Sequence, residues 1–441
     1  MLIIDAQWER LGAGSPEERA CFCALGIHVE SADKKVTWLT EAVDSFVQRT
    51  RERVHVSGYR LAEWLAWNWW RLRWEPRRDG AAWALAHHLG AVGGGYVWPN
   101  ISVLSDGESV TFEAKPTQPQ PQEPLRYIAS SRITVVAQEY EHAVQRFIEQ
   151  VRGQLRAEGV ASTNLDHIWE NVQADRVDKD RWQRCKFEAL LGLDPDEGEA
   201  HEAMLARLLA DADDLGLQPM NEVAAGWTKC GAVWTAETLR DVARTHGFEA
   251  RPVDAAQLAG GTEGLLAQCA TPWKKGAAAA QLLRTEQKLG TAPLSDEKLA
   301  GLAGVSPTIL SRSPGTTEFS FALDQGNGAG RVVLRRKWQT GRRFELARQL
   351  GDRLIGGSQQ VFLFPVTDSN TYQQKLQRAF AAELLCPFAT LKDRLQGDYR
   401  ESSIEDVAEE YEVSRKVVWS QLVNHGEVDR ERLDVDMDVA A

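Results

Sequence analysis

The stretch Arg343-Phe344-Glu345-Leu346-Ala347-Arg348-Gln349-Leu350-Gly351-Asp352 reads as one helix. On it Arg348 and Asp352 lie one turn apart on a single face, the spacing at which a guanidinium and a carboxylate pair. Arg348 stays protonated at working pH, and a buried guanidinium without a partner costs several kcal/mol. The sequence therefore predicts that a carboxylate holds Arg348, with Asp352 first and Glu383 second. Glu383 comes from a second helical tract, Arg378-Ala379-Phe380-Ala381-Ala382-Glu383-Leu384-Leu385-Cys386-Pro387, closed by Pro387.

A zinc-peptidase helix of the His-Glu-x-x-His kind places two His one turn apart to hold the metal, with a Glu beside the first to activate water. The frame Arg-Phe-x-x-Ala-His-Glu-x-Gly-His, matched at Arg343, Phe344, Ala347 and Gly351, resembles that of the ImmA/IrrE metallopeptidases. In that family a second helix carries an acidic third ligand upstream of a tract similar to Ala379–Pro387. The resemblance covers the C-terminal part only and implies a zincin-like domain with a short helix-turn-helix-like tail. It also implies a setting of repressor control in stress or phage defence.

The chain departs from the family where the chemistry would be. The ligand and base positions hold Arg348, Gln349 and Asp352, and the third ligand would fall near Leu376 or Gln374, neither acidic. A guanidinium cannot donate a lone pair to zinc. Gln keeps the shape of Glu but cannot take a proton from water. The degenerate site Arg348, Gln349, Asp352, Leu376 and Glu383 thus predicts no catalytic residue, no metal and no cofactor.

At 441 residues the chain is long enough for two to four domains. A net charge of −12 argues against coating nucleic acid with the whole surface, though it leaves room for a local basic groove. No apolar run approaches a bilayer span and the N-terminus does not read as a signal peptide, so the expectation is a cytoplasmic protein without a membrane partner. Six cysteines, Cys21, Cys23, Cys185, Cys230, Cys269 and Cys386, form no Cys-x-x-Cys pair and read as reduced thiols. His87-His88 reads as structural.

The expected fold class is α+β and mainly helical, in three parts: a small Trp-rich α+β domain over 1–125, a helical domain over 126–284, and the degenerate domain over 285–441. In the first part, Gly58 to Glu75 reads as one helix before Pro76, and Ala81 to Leu89 as another. Tyr96 to Leu104 and Ser109 to Ala114 read as strands around Asp106-Gly107. Lys115 to Pro124, with four prolines, reads as an extended linker. Seven of the sixteen tryptophans fall between Trp64 and Trp98, among Arg71, Arg73, Arg77 and Arg78. Such a cluster, Trp74 included, can stack bases and track phosphates, or it can form an aromatic core with snorkelling arginines. Helical spacing favours the core.

In the middle, Ile133 to Glu158, Trp182 to Leu193, His201 to Gly216, Ala236 to Gly247 and Trp273 to Leu283 read as helices, with a turn at Asp194 to Gly198. Two segments imitate DNA-binding helix pairs. Ser295 caps the first, whose second helix is too short to read a major groove. The second has a capping box at Ser402 and Glu405, then a helix from Ser414 presenting Arg415, Lys416, Gln421 and Asn424. Glu427 to Ala441 reads as an acidic, frayed end. The function expected is a non-catalytic pseudoenzyme acting as a protein-binding regulatory or scaffold subunit. The alternative is a nucleic-acid-binding component of a defence or regulatory complex, using the Trp and Arg segment with Arg415 and Lys416.

Overall fold

The computed structural model describes residues 1–118, 125–193, 201–227, 234–259, 262–312, 317–325, 328–356 and 362–429. The turn expected at Asp194 to Gly198, Cys230, the end of the proline-rich linker and the last twelve residues lie outside them. The fold is mixed α+β with helix predominating. It divides into two compact units, Met1–Leu205 and Ala206–Ala441, rather than at the three expected segments. The reason is packing. The 125/126 boundary would cut a paired strand, and the 284/285 boundary would cut a helix at the centre of the second unit.

The first unit carries ten strands: β1 (Leu2–Trp8), β2 (Phe22–Glu30), β3 (Val36–Trp38), β4 (Ala42–Asp44), β5 (Arg49–Arg51), β6 (Val54–Ser57), β7 (Ile101–Ser105), β8 (Ser109–Ala114), β9 (Leu125–Tyr127) and β10 (Ser131–Val136). Its helices are α1 (Pro16–Ala20), α2 (Gly58–Trp67), α3 (Trp69–Trp74), α4 (Ala81–His87), α5 (Ala137–Ala157), α6 (Asn164–Val177) and α7 (Lys179–Leu191). β2 pairs antiparallel with β1 on one side and with β6 and β3 in turn on the other. Two further antiparallel sheets run β10-β8-β7 and β5-β4-β9.

Local chemistry explains where these elements depart from the expected bounds. The single helix expected from Gly58 to Glu75 is two, broken at Asn68, whose side-chain amide bonds the Trp64 carbonyl at 3.0 Å. The strand expected from Tyr96 starts only at Ile101, because Pro99 has no N–H to give a ladder. The expected hairpin stands, with Asp106 accepting from the Glu108 and Ser109 amides and Gly107 at φ +97°. The helix expected from Ile133 begins as strand β10, since Ile133-Thr134-Val135-Val136 is a β-branched run.

The second unit continues with α8 (Glu202–Leu215), inside which the division falls, α9 (Leu217–Gly226), α10 (Ala236–His246), α11 (Thr262–Ala267), α12 (Pro272–Glu286), α13 (Asp296–Leu302), α14 (Thr308–Ser311), α15 (Gln339–Ile355), α16 (Tyr372–Leu385), α17 (Phe388–Leu395), α18 (Glu401–Glu410) and α19 (Arg415–Asn424). Its sheet runs β11 (Phe248–Ala250), β13 (Gly330–Val333), β12 (Ser320–Asp324), β14 (Leu363–Val366), all antiparallel. α16 is the central helix, with α12 and α15 packed along it.

Two glycines permit that packing. A side chain at Gly276 of α12 would meet the Leu376 carbonyl oxygen at 2.4 Å, and one at Gly351 of α15 would meet the Phe380 ring at 2.5 Å. Close helix approach, not backbone freedom, is what glycine supplies here. Gly247 closes α10 as its C-cap, its N–H bonding the Ala243 carbonyl at 3.0 Å with φ −78°. Ser295 does cap α13, accepting from the Lys298 amide at 3.3 Å, and α14 is only four residues long.

Candidate functional site

The α15–α16 contact assembles the positions singled out in the sequence. Arg342 and Arg343 anchor the start of α15. Arg342 donates to the Leu310 carbonyl at 2.6 and 2.9 Å. Arg343, fully buried, pairs with Asp296 and with Glu412 at 2.9 Å, and donates to the Leu294 carbonyl at 2.6 Å. One turn further on, Glu345 accepts from the Ser320 hydroxyl at 2.6 Å and pairs with Arg335 and Arg336. These bonds fix the helix against β12 and its flanking loops.

Arg348 then points at α16 and not at a carboxylate. It is 4 % exposed and donates to Gln374 Oε1 at 2.6 Å and to the Thr367 carbonyl at 2.8 Å. The expected partners are engaged elsewhere. Asp352 accepts from Gln373. Glu383 accepts from Gln281 at 2.9 Å, from Gln421 at 2.9 Å and from the Phe388 amide at 3.1 Å. The i, i+4 rule proposed the pair Arg348–Asp352 from one helix alone; tertiary packing offered each residue a better-placed glutamine.

Burial sets the electrostatics. It pushes the Arg348 guanidinium down to about 9, with Arg378 adding like-charge repulsion, so the group is still a cation at neutral pH. It pushes the Asp352 carboxyl up to about 6 against the opposing hydrogen bonds of Gln373 and Gln377. Arg378, donating to the Ser369 carbonyl at 3.0 Å, is pushed down to about 10 by burial.

Leu376 is 1 % exposed and belongs to the apolar core. Of the two candidate third positions, only Gln374 reaches Arg348. The signal for Gln374 was its spacing on α16; what the sequence missed was that it is the hydrogen-bond acceptor for Arg348. Gln349, also buried, donates to the Val333 carbonyl at 3.3 Å, and its Oε1 has no hydrogen-bond partner among the described residues.

This donor set does not fit a zinc ion. Arg348, at the first of the ligand positions expected from the sequence, is a cation, and Gln374 Oε1 is already shared between Arg348 and the Thr367 amide at 2.8 Å. Asp352 alone remains as an anionic donor. Among the described residues no group of three His, Cys, Asp or Glu stands together as metal ligands do.

The Trp and Arg segment is largely internal. Trp69, Trp70 and Trp98 are buried, and Trp69 meets Trp169 edge-on at 5.2 Å. Trp74 meets Trp182 edge-on at 5.5 Å, and the Arg73 guanidinium lies 3.9 Å from the Trp74 ring centre. Arg73 also bonds Glu141 and the Gly107 carbonyl. Arg71 pairs with Glu75 at 2.7 Å, and Arg78 donates to the Leu190 carbonyl. Of this group Arg77 and Trp67 face solvent.

His87 is a buried structural residue. One ring nitrogen stands 3.1 Å from Glu75 and the other 2.9 Å from the Val103 carbonyl. Cys21 and Cys23 are free and buried, and burial pushes both thiols up to about 12.

In the tail, Arg415 and Lys416 are exposed, with Arg415 3.7 Å from Glu401. Gln421 is not on the exposed side as expected. It is 3 % exposed and donates to Glu383 and to the Cys386 carbonyl at 3.0 Å, because α19 packs on α16. α18 starts at Glu401 with Arg400 as its cap residue and no side-chain cap, so the capping box at Ser402 does not form. No helix among the described residues is long and apolar enough to cross a membrane. No family model, curated protein or solved structure matches the chain.

Proposed function

We propose that this chain is a non-catalytic, protein-binding regulatory or scaffold subunit, built on a metallopeptidase-like domain of the ImmA/IrrE kind that has lost its zinc site. The observation that carries the reading is the bond from Arg348 to Gln374. It joins the first ligand position on one helix to the third on the next, so a cation and its amide partner occupy the place where a metal and its ligands would meet. The buried Gln349, in the position of the general base, has no proton to exchange at working pH.

Restoring the ligands tests the frame. The variant Arg348→His, Gln349→Glu, Asp352→His, Gln374→Glu is expected to take up about one zinc per chain, as a three-ligand site does. The parent chain is expected to take up none, both measured by elemental analysis after dialysis. A folded variant that binds no zinc would show that the two helices do not have zincin geometry. Stoichiometric zinc in the parent chain would overturn the non-catalytic reading itself.

A further inference from the structure

The turn between β4 and β5 presents the most exposed large apolar side chain of the described residues outside α6, Phe46 at 83 %, next to Val47 at 52 %. This turn is held open. Asp44 accepts from the amides of Phe46 and Val47, both at 3.1 Å, and pairs with Arg51 at 2.9 Å. Gln48 turns the chain at φ +51° and ties its side chain to the Ser45 carbonyl at 2.7 Å.

The result is a preorganised apolar knob, the kind of feature that loses little entropy on docking. Beneath it the ribbon is basic. Arg49 lies across from Asp44 and Arg126 across from Val43, both are exposed, and neither has an ion-pair partner among the described residues.

A groove of about 310 Å³ opens between the start of α15, at Gln339 and Thr340, and the α18–α19 pair. Ala408 and Val413, each 5 % exposed, form its apolar part. Glu405 and Glu409 stand one turn apart on its rim, exposed and without ion-pair partners among the described residues. Glu412 is shared with Arg343, and Arg415 closes the end near Glu401. Trp338, 81 % exposed, directly precedes Gln339. These acids sit on the first helix of the pair that resembles a DNA reader, where they would repel phosphate.

We propose that the Phe46–Val47 tip of one molecule docks in the α15–α18 groove of a second copy, with Arg49 and Arg126 against Glu405 and Glu409. The contact joins two different surfaces of the chain, so one intact knob and one intact groove are enough to hold two molecules together. Charge complementarity and an apolar tip facing an apolar-floored groove carry the proposal, which is independent of the reading of Arg348.

Sedimentation velocity of the full chain over a concentration series tests it. The parent chain is expected to show concentration-dependent self-association. Phe46→Ser, and separately Glu405→Lys with Glu409→Lys, are each expected to weaken self-association at least roughly tenfold. An equimolar mixture of the two variants should regain a dimer and nothing larger, because it contains one intact knob and one intact groove per pair. Circular dichroism melts of both variants should match the parent, since all three positions are exposed. A parent chain that stays monomeric at every concentration overturns the proposal. So does assembly unaffected by Phe46→Ser, or a mixture that remains monomeric.

Discussion

Two buried arginines, one in each unit, are held in opposite ways. In the first unit Arg71 meets a carboxylate directly, and Glu75 is also bonded by His87. Burial alone would raise Glu75, yet the hydrogen bonds of His87 and Arg71 hold its carboxyl below the usual range. In the second unit Arg348 is bonded, among the described residues, by neutral oxygens of Gln374 and Thr367, while Asp352, one turn on along its helix, is bonded by a glutamine. The first arrangement is a compensated charge. The second is a cation that donates to two neutral oxygens while its buried Nε–H has no hydrogen-bond partner and it meets no counter-ion among the described residues, which is the more costly state in a low dielectric.

The largest effect that sharpens this contrast is the truncation of each arginine. Arg71→Ala leaves the buried Glu75 carboxylate to His87 after breaking an ion pair, so it should destabilise the first unit by about 3–5 kcal/mol. Arg348→Ala should cost less, about 1–3 kcal/mol, because it removes a buried cation and strips a donor only from neutral oxygens, of Gln374 and Thr367. Urea melts of the two variants against the parent check the order. Equal losses, or a larger loss for Arg348→Ala, would break the comparison.

The next concerns Asp352. Its carboxyl is raised from 3.8 to about 6 in the fold, so the folded chain holds this proton more tightly than the unfolded one. Stability from this group is therefore fully present below about pH 4, falls as pH rises to about 6, and stays low above that. Asp352→Asn cannot titrate. It should gain on the parent chain between those limits, by about 3 kcal/mol at most, and keep a constant advantage at higher pH. Melts at a series of pH values that show the two chains running parallel throughout would remove Asp352 from the account. Glu75 has the opposite sign: held low, it contributes stability above its unfolded value that is lost as pH falls.

The smallest effect is at the outer edge of the Trp and Arg segment. Trp67→Ala with Arg77→Ala touches the exposed members and should change stability by less than about 0.5 kcal/mol. With Arg71, Arg73 and Arg78 bonded inside the fold, this segment offers at most one free phosphate contact, so any filter-binding salt slope due to it should be near 0.9 or less. A steep slope abolished by the double variant would restore the nucleic-acid reading.

Much of the local structure was legible in the residues themselves. Helices α12 and α15 follow apolar spacing, α10 and α13 also their capping residues Thr235 and Ser295, and the Asp106-Gly107 hairpin follows turn chemistry, because these depend on neighbours within a turn or two. Gly351 and Phe380, matched separately in two tracts, prove to touch. The identities Arg348, Gln349 and Asp352 were enough to exclude an ordinary zinc donor set on chemistry alone. What the sequence could not supply was who faces whom. Gln374 is 26 residues from Arg348 and Gln421 is 38 from Glu383, and no local rule weighs them against a carboxylate one turn away. Packing α16 between α12 and α15 decided those contacts, since a buried polar group takes the partner that the backbone brings within 3 Å, whatever its charge.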